Sequence, residues 1–244
     1  MPRSERDRLY AAPREEVERF VFDERVAAVF GDMIARSVPG YATIVAMTGI
    51  LARRHAHPGS RIYDLGCSLG AASAVMADSL EGRECTIVAA DSAPAMLERA
   101  RAELATRGLD ERIELVCADI RDLEIESASV VVLNFTLQFL PVTERLVLLQ
   151  RIRRGMLPGG VLVLSEKIAG ASAEEERLLV ELHEAFKQAN GYSELEISQK
   201  RTALEQVLVP EPVAVHRQRL AEAGFGSVDL WFQCFNFVSF VAMP

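Results

Sequence analysis

A glycine-rich loop constrains the fold of this chain more than any other feature. The loop, residues 64–70 (Asp-Leu-Gly-Cys-Ser-Leu-Gly), follows the apolar stretch 61–63 and precedes the small-residue run 71–76. This order predicts a strand that turns directly into a helix. Gly66 and Gly70 lack the Cβ that would hold a ligand away from the backbone, and the first amides of a helix present the positive end of its dipole. The loop is therefore typical of a nucleotide-binding turn.

Two simpler interpretations of this loop also fit part of the pattern. A dinucleotide-binding fingerprint needs G-x-G-x-x-G, whereas counting from Gly66 places Ser68 and Ala71 at the second and third glycine positions. The other interpretation is a strand-to-helix turn that binds no ligand.

A hydrolase is a third interpretation, because residues 66–70 also match G-x-S-x-G, the nucleophile elbow of α/β-hydrolases. Ser68 would be the nucleophile, with His183 or His216 as its base. An elbow normally follows several strands, whereas residues 1–60 show helical spacing, which weighs against this interpretation.

Acidic or amide side chains end the next three apolar runs of the chain. They are Asp91 after 86–90, Asp119 after 113–118 and Asn134 after 130–133. Singly, such a residue is more often a turn residue that closes a strand. In series they indicate a ligand site, because parallel sheets bind ligands at the carboxyl ends of their strands.

The spacing of these residues favours S-adenosyl-L-methionine (SAM) as the ligand. Asp91 lies about where a second parallel strand delivers a carboxylate to the two ribose hydroxyls. Asp119 and the amide of Ile120 follow the third strand, where the amino group and a ring nitrogen of adenine would lie.

Composition agrees with a cytoplasmic enzyme. The chain has 244 residues, 50% of them hydrophobic, which is enough for a single domain spanning 1–244. No apolar stretch approaches the roughly 20 residues that span a bilayer, and the N-terminus has no apolar signal core. The net charge of −8 argues against broad adhesion to nucleic acid or to anionic membranes.

Cysteine and histidine spacing gives no metal site. The four cysteines and four histidines form no paired ligand motif, so we expect no metal and four buried or half-buried free thiols. The cysteines are Cys67, Cys85, Cys117 and Cys234.

The order of predicted elements gives the fold class. We expect an α/β, Rossmann-like doubly wound sheet, mostly parallel, with a C-terminal antiparallel strand pair over 228–243. A helical arm over 1–57 precedes the sheet, and its charged residues 1–20 are expected to be loosely ordered. A helical insertion over 172–223, with about three helices, follows the fifth strand at 161–166.

Longer segments resemble the carboxy-S-adenosyl-L-methionine (carboxy-SAM) synthase family. These segments are 22–27, 36–41, 63–72, 132–140, 190–201 and 230–237. Only the glycine loop is shared with SAM-dependent methyltransferases at large. The resemblance implies an enzyme that joins SAM to a carboxyl group taken from prephenate and releases phenylpyruvate.

The resemblance also implies a biological role. Carboxy-SAM would supply a tRNA carboxymethyltransferase that modifies 5-hydroxyuridine at the wobble position, so the protein would act in tRNA modification without contacting nucleic acid itself. Members of the family are homodimers, and no membrane partner is implied.

The site residues follow from the same resemblance. Arg201 is implied as the catalytic residue, because the matching arginine contacts the carboxyl group of carboxy-SAM. The implied cofactor-binding residues are Tyr41, Gly66, Cys67, Ser68, Asp91, Ser92, Asp119, Ile120, Asn134 and Arg201. Ser92 departs from the family pattern, which has Asn there. From the residues alone, the pair Lys200-Arg201 also fits a solvated helix face, and Tyr41 fits an ordinary amphipathic helix.

Two other functions use the same fold. An ordinary SAM-dependent methyltransferase of a small acidic acceptor would bind SAM in the same cleft and yield S-adenosylhomocysteine. A non-catalytic protein would retain the nucleotide and form no product.

Overall fold

A computed structural model describes residues 5–205 and 207–244 of the chain. Its helices are α1 (Glu24–Ser37), α2 (Tyr41–His55), α3 (Ala71–Ser79), α4 (Pro94–Thr106), α5 (Val142–Gly155), α6 (Ala173–Ala189), α7 (Glu194–Leu204) and α8 (Val213–Glu222), with a short 3-10 helix at Leu137–Phe139. Its strands are β1 (Arg61–Leu65), β2 (Thr86–Asp91), β3 (Ile113–Cys117), β4 (Ala128–Asn134), β5 (Met156–Lys167), β6 (Ser227–Cys234) and β7 (Phe237–Met243).

The described strands form one sheet in the order β3-β2-β1-β4-β5-β7-β6. Strands β1 to β5 run parallel, whereas β7 pairs antiparallel with both β5 and β6. The chain winds outward from β1 in one direction to β3 and in the other to β5, so the strand order reverses between β1 and β4. Ligands of doubly wound sheets bind at this switch point, beside the carboxyl ends of the strands. The predicted fold class is confirmed.

The core lies on both faces of the sheet. In β4 every residue from Ala128 to Leu133 is buried, which is the pattern of a parallel strand covered on both sides. Val131 and Leu133 pack on the face covered by α5, while Val130 and Val132 pack on the face covered by α2 and α3. This packing holds the carboxyl ends of β1 and β4 in a fixed position.

The N-terminal segment differs from the sequence-based expectation. Residues 5–23 form no helix, but Tyr10 and Phe20 are buried in a cluster with α1 and α4. The Gln199 side-chain amide donates hydrogen bonds of 2.9 Å to the carbonyls of both Tyr10 and Ala12. The expected looseness is therefore wrong for the described part of this segment; residues 1–4 lie outside the described ranges.

Two smaller expectations also need correction. Cys117 is exposed, because β3 is an edge strand whose outer side is open. Strand β5 begins at Met156, earlier than predicted, since Met156 pairs with Ala128 ahead of an irregularity in the ladder around Gly159 and Gly160.

In the described ranges, no single helix has both the length and the apolar composition to cross a bilayer. Helices α1 and α2, bent by 98° at their junction, meet that test only when taken together.

Candidate active site

The glycine loop follows β1 and contacts residues at the ends of β2 and β4. After β1, the amides of Gly66 and Cys67 both donate to the carbonyl of Ala90 in β2, at 2.8 and 3.0 Å. Gly66 has a φ of 81°, and a Cβ built there would lie 2.3 Å from Oγ1 of Thr136, just beyond β4. Only glycine fits this position, because both the backbone conformation and the contact exclude a side chain.

Asp64 anchors the helix that follows the loop. Its Oδ2 accepts hydrogen bonds from the amide (3.0 Å) and the hydroxyl (2.5 Å) of Ser73, near the start of α3. Asp64 is 2% exposed, and this burial raises its pKa to about 6 even though the bonds from Ser73 oppose the shift. The carboxylate thus fixes the N-terminus of α3, whose amides face the loop. Asp64 begins the glycine motif, but its role as an anchor for α3 was not predicted from the sequence.

Asp91 is held directly against the loop. Its Oδ2 accepts from the amide of Ser68 at 2.9 Å, and its Oδ1 accepts from the amide of Ala93 at 2.9 Å. Burial raises the pKa of Asp91, while these backbone donors oppose the rise. Each carboxylate oxygen keeps a lone pair that a ribose hydroxyl can donate to. The neighbouring Ser92 is exposed.

Asp119 lies beyond β3, next to the end of β2, and the amide of Ala118 donates to the carbonyl of Asp91 at 3.1 Å. The Asp119 carboxylate accepts from the Arg121 guanidinium, with a closest distance of 2.6 Å, and Arg121 also pairs with Glu144. This arginine lowers the pKa of Asp119. Arg121 is not among the residues predicted from the sequence; the signal for it is a cation two residues after the acid.

Asn134 is the last residue of β4, and only the oxygen of its side-chain amide has a hydrogen-bond partner among the described residues. Its Oδ1 accepts from the hydroxyl of Ser165 at 2.7 Å, and that hydroxyl lies 2.9 Å from the Ser239 hydroxyl. Its Nδ2 is buried and has no hydrogen-bond partner among the described residues. A buried unpaired donor beside the glycine loop suits a ligand that accepts a hydrogen bond there.

Four aromatic side chains contact one another in turn between the start of α2 and α6. Tyr41 opens α2 and lies 6.3 Å from Phe135 between ring centroids; Phe135 lies 5.9 Å from Phe237, and Phe237 lies 4.9 Å from the ring of His183. We call these four residues the aromatic row. Burial raises the pKa of the Tyr41 hydroxyl and lowers that of His183 to about 3, so both side chains are neutral at pH 7.

Arg201 lies on α7, beyond the far end of the aromatic row. Its side chain is 54% exposed, and its Nη1 donates to Oε1 of Glu184 on α6 at 2.6 Å. The neighbouring Lys200 donates to the Ser37 hydroxyl at 3.2 Å, while Nε2 of His183 lies 2.8 Å from the Ser37 carbonyl. Ser37 therefore links α7 to the aromatic row. Among the described contacts, none joins Arg201 to the glycine loop or to Asp91.

Comparison with known proteins identifies the family. A methyltransferase domain model matches residues 62–160. The carboxy-SAM synthase of Trichlorobacter lovleyi is 58% identical over 238 residues, which is 97% of this chain and 98% of that protein. The carboxy-SAM synthase of Vibrio campbellii is 52% identical over 242 residues, 99% of each chain. The chain belongs to the carboxy-SAM synthase family.

Solved structures show that this member of the carboxy-SAM synthase family shares its fold with methyltransferases. An O-methyltransferase family protein from Burkholderia thailandensis superposes with a TM-score of 0.64 at 17% identity, over 91% of this chain and 60% of its own. Human N-acetylserotonin methyltransferase in complex with SAM superposes with a TM-score of 0.61 at 18% identity, over 91% and 55%. At these identities the likeness concerns the fold alone.

The hydrolase interpretation does not fit this carboxy-SAM synthase family member. The hydroxyl of Ser68 donates to the sulfur of Met96 at 3.7 Å. His183 bonds to the Ser37 carbonyl, and His216 lies against Phe240 with 5.9 Å between ring centroids. Neither histidine contacts Ser68 among the described residues, so no nucleophile and base are brought together.

Proposed function

We propose that this protein makes carboxy-SAM from SAM and prephenate, releasing phenylpyruvate. The observation that carries the proposal is the identity of 52–58% to carboxy-SAM synthases over nearly the whole chain. That match includes α6 and α7, which carry the cationic side chains that a carboxylated co-substrate requires.

The proposed binding residues for SAM are those at the carboxyl edge of the sheet. The amides of the glycine loop and the N-terminus of α3 would receive the nucleoside, Asp91 the ribose, and Asp119 with the Ile120 amide the adenine. The Asn134 Nδ2, which has no hydrogen-bond partner in the described part of the chain, is a donor at the same edge. Because Arg121 occupies part of the Asp119 carboxylate, the adenine amino group would use the lone pairs that remain.

The chemistry follows from the charge of the sulfonium. Its positive sulfur acidifies the attached methyl group, and loss of one proton gives an ylide whose carbon attacks carbon dioxide. Prephenate supplies the carbon dioxide by breaking the bond between its ring and the ring carboxylate. The ring becomes aromatic as hydroxide departs, and this hydroxide takes the methyl proton to form water. The products are carboxy-SAM and phenylpyruvate.

This sequence of steps needs little acid–base help from the protein. The hydroxide leaving group provides the base, and the two histidines that flank β7 have strongly lowered pKa values because they are buried. The protein would contribute close positioning of the two substrates and exclusion of water, since a free ylide or free carbon dioxide would be lost to solvent.

Arg201 is the proposed partner of the new carboxyl group. A guanidinium grips a carboxylate with two parallel hydrogen bonds. To do so, Arg201 would exchange its contact with Glu184 for the substrate. The exposure of its side chain leaves room for that exchange.

We also propose that the protein acts as a homodimer in the cytoplasm and that it supplies carboxy-SAM to a tRNA carboxymethyltransferase.

Incubation of the protein with SAM and prephenate tests this function. Mass spectrometry of the nucleoside products should find a species heavier than SAM by one carbon dioxide, formed in equal amount with phenylpyruvate. Formation of S-adenosylhomocysteine with an added acidic acceptor, and no phenylpyruvate, would instead identify an ordinary methyltransferase.

A further inference from the structure

Two lysines near Arg201 have no carboxylate partner in the part of the chain that the structure describes. Lys167 is the last residue of β5, and Lys187 lies in the last turn of α6. The neighbouring cations are paired: Arg201 with Glu184 at 2.6 Å, and Lys200 with Asp7 at 3.6 Å. No described carboxylate lies within 4.0 Å of the ammonium group of Lys167 or Lys187.

The positive charge of Lys167 acts on the ammonium group of Lys187. Burial lowers the pKa of Lys187 to about 8, and the charge of Lys167 is the next largest cause. Burial also lowers the pKa of Lys167, and Glu176 and Glu184 only partly oppose the shift. These two carboxylates have other partners, since Glu176 accepts from the Gly170 amide and Glu184 accepts from Arg201. Unpaired, partly desolvated cations are costly, and an anion bound between them would relieve that cost.

Both lysines lie beside the aromatic row. Lys167 is directly opposite Phe237 in the antiparallel β5–β7 ladder, so the two side chains lie on the same face of the sheet. Lys187 follows His183 by four residues in α6, so these two side chains share one face of the helix. Phe237 and His183 are themselves in contact, with 4.9 Å between ring centroids. The sheet and the helix therefore bring one lysine each to the same end of the row.

We propose that Lys167 and Lys187 form an anion subsite for the side-chain carboxylate of the co-substrate, the carboxylate that is not transferred. The two carboxylates of the co-substrate branch from one ring carbon, so its ring carboxylate then lies at the same end of the aromatic row, towards Arg201. This inference rests on the proposed function, because it assigns the second carboxylate of prephenate. The same carboxylate remains in phenylpyruvate, so the subsite also binds the product.

Binding of phenylpyruvate tests the subsite without any turnover. We expect Lys167→Met and Lys187→Met each to weaken phenylpyruvate binding at least tenfold by isothermal titration in the presence of SAM, with the Kd for SAM unchanged within threefold. The uncharged analogue 3-phenylpropan-1-ol should bind equally to the wild type and to both variants. Arg177→Met removes an exposed cation from the same helix and is the matched control.

Steady-state kinetics provide the second readout. Each variant should raise the KM for prephenate at least tenfold and change kcat less than threefold, and Lys167→Arg should recover most of the loss because it keeps the charge. Wild-type affinity for phenylpyruvate in both methionine variants would overturn the subsite. So would a loss that extends equally to the uncharged analogue, which would indicate a structural role. If the wild type forms no carboxy-SAM, the proposed function fails, and the phenylpyruvate titrations still decide whether the subsite exists.

Discussion

The amide of Ser68 donates a hydrogen bond of 2.9 Å to the carboxylate of Asp91, which joins the loop after β1 to the end of β2. The backbone that would face a nucleotide and the carboxylate that would face its ribose are therefore held by one contact. A change at Asp91 alters both.

Asp91→Asn should weaken SAM binding by about 10- to 100-fold, or about 1.4–2.7 kcal/mol. Asparagine has one side-chain oxygen where aspartate has two, so its NH2 group faces the amide of either Ser68 or Ala93, and that amide loses its acceptor. The negative charge that attracts the ribose hydroxyls is also lost. Isothermal titration with SAM measures the effect. Asp78→Asn is the control, because this carboxylate is 55% exposed and, among the described residues, pairs only with Arg107. Equal SAM affinity in both variants would remove Asp91 from the site.

Gly66→Ala should destabilise the fold by more than about 2 kcal/mol, because its φ of 81° is unfavourable for alanine and its Cβ would overlap Thr136. Gly82 has a similar φ of 76°, and a Cβ added there would meet nothing within 4 Å, so Gly82→Ala should cost only about 1 kcal/mol. Urea unfolding of the two variants separates backbone strain from overlap. Equal losses at the two positions would mean that the Thr136 contact has no energetic importance.

Arg201→Ala should leave the Kd for SAM largely unchanged and reduce formation of carboxy-SAM at least tenfold, about 1.4 kcal/mol of transition-state stabilisation. The physical reason is that the guanidinium acts on the carboxyl group and not on the nucleoside. Initial rates of phenylpyruvate release measure the effect, with the exposed Arg217→Ala as the control. Unchanged turnover in Arg201→Ala would refute the assignment.

Asp64 should make the stability depend on pH. Its pKa is about 6 in the folded protein, against an ordinary value of 3.8, so the folded state holds more protons than the unfolded state between these values. The free energy of unfolding contributed by Asp64 therefore falls as pH rises from about 4 to about 6, by roughly 3 kcal/mol.

The difference in unfolding free energy between wild type and Asp64→Asn isolates this contribution. The asparagine keeps an acceptor for Ser73 and does not titrate, so the wild type should lose stability relative to the variant across that pH window. Parallel stability curves for the two proteins between about pH 4 and pH 7 would contradict the prediction.

The sequence by itself determined the order of the main elements and which strand ends lie together at one edge of the sheet. The glycine loop, the apolar runs and the residues that end them are local patterns, and a parallel sheet necessarily brings the carboxyl ends of its strands to one edge. The positions of Gly66, Asp91 and Asn134 followed from that rule. The strand order and the antiparallel pair β6–β7 agree with the predicted doubly wound sheet.

Only the tertiary structure decided what these side chains contact. The pairing of Arg121 with Asp119 depends on rotamers, and that of Arg201 with Glu184 depends on the packing of α7 against α6. Lys167 and Lys187 are separated in sequence by most of α6, so no periodicity relates them. Their nearness arises because His183 of α6 packs against Phe237 of β7, and Phe237 pairs with Lys167 at the end of β5. Contacts of this kind are set by the burial of whole elements and not by any local motif.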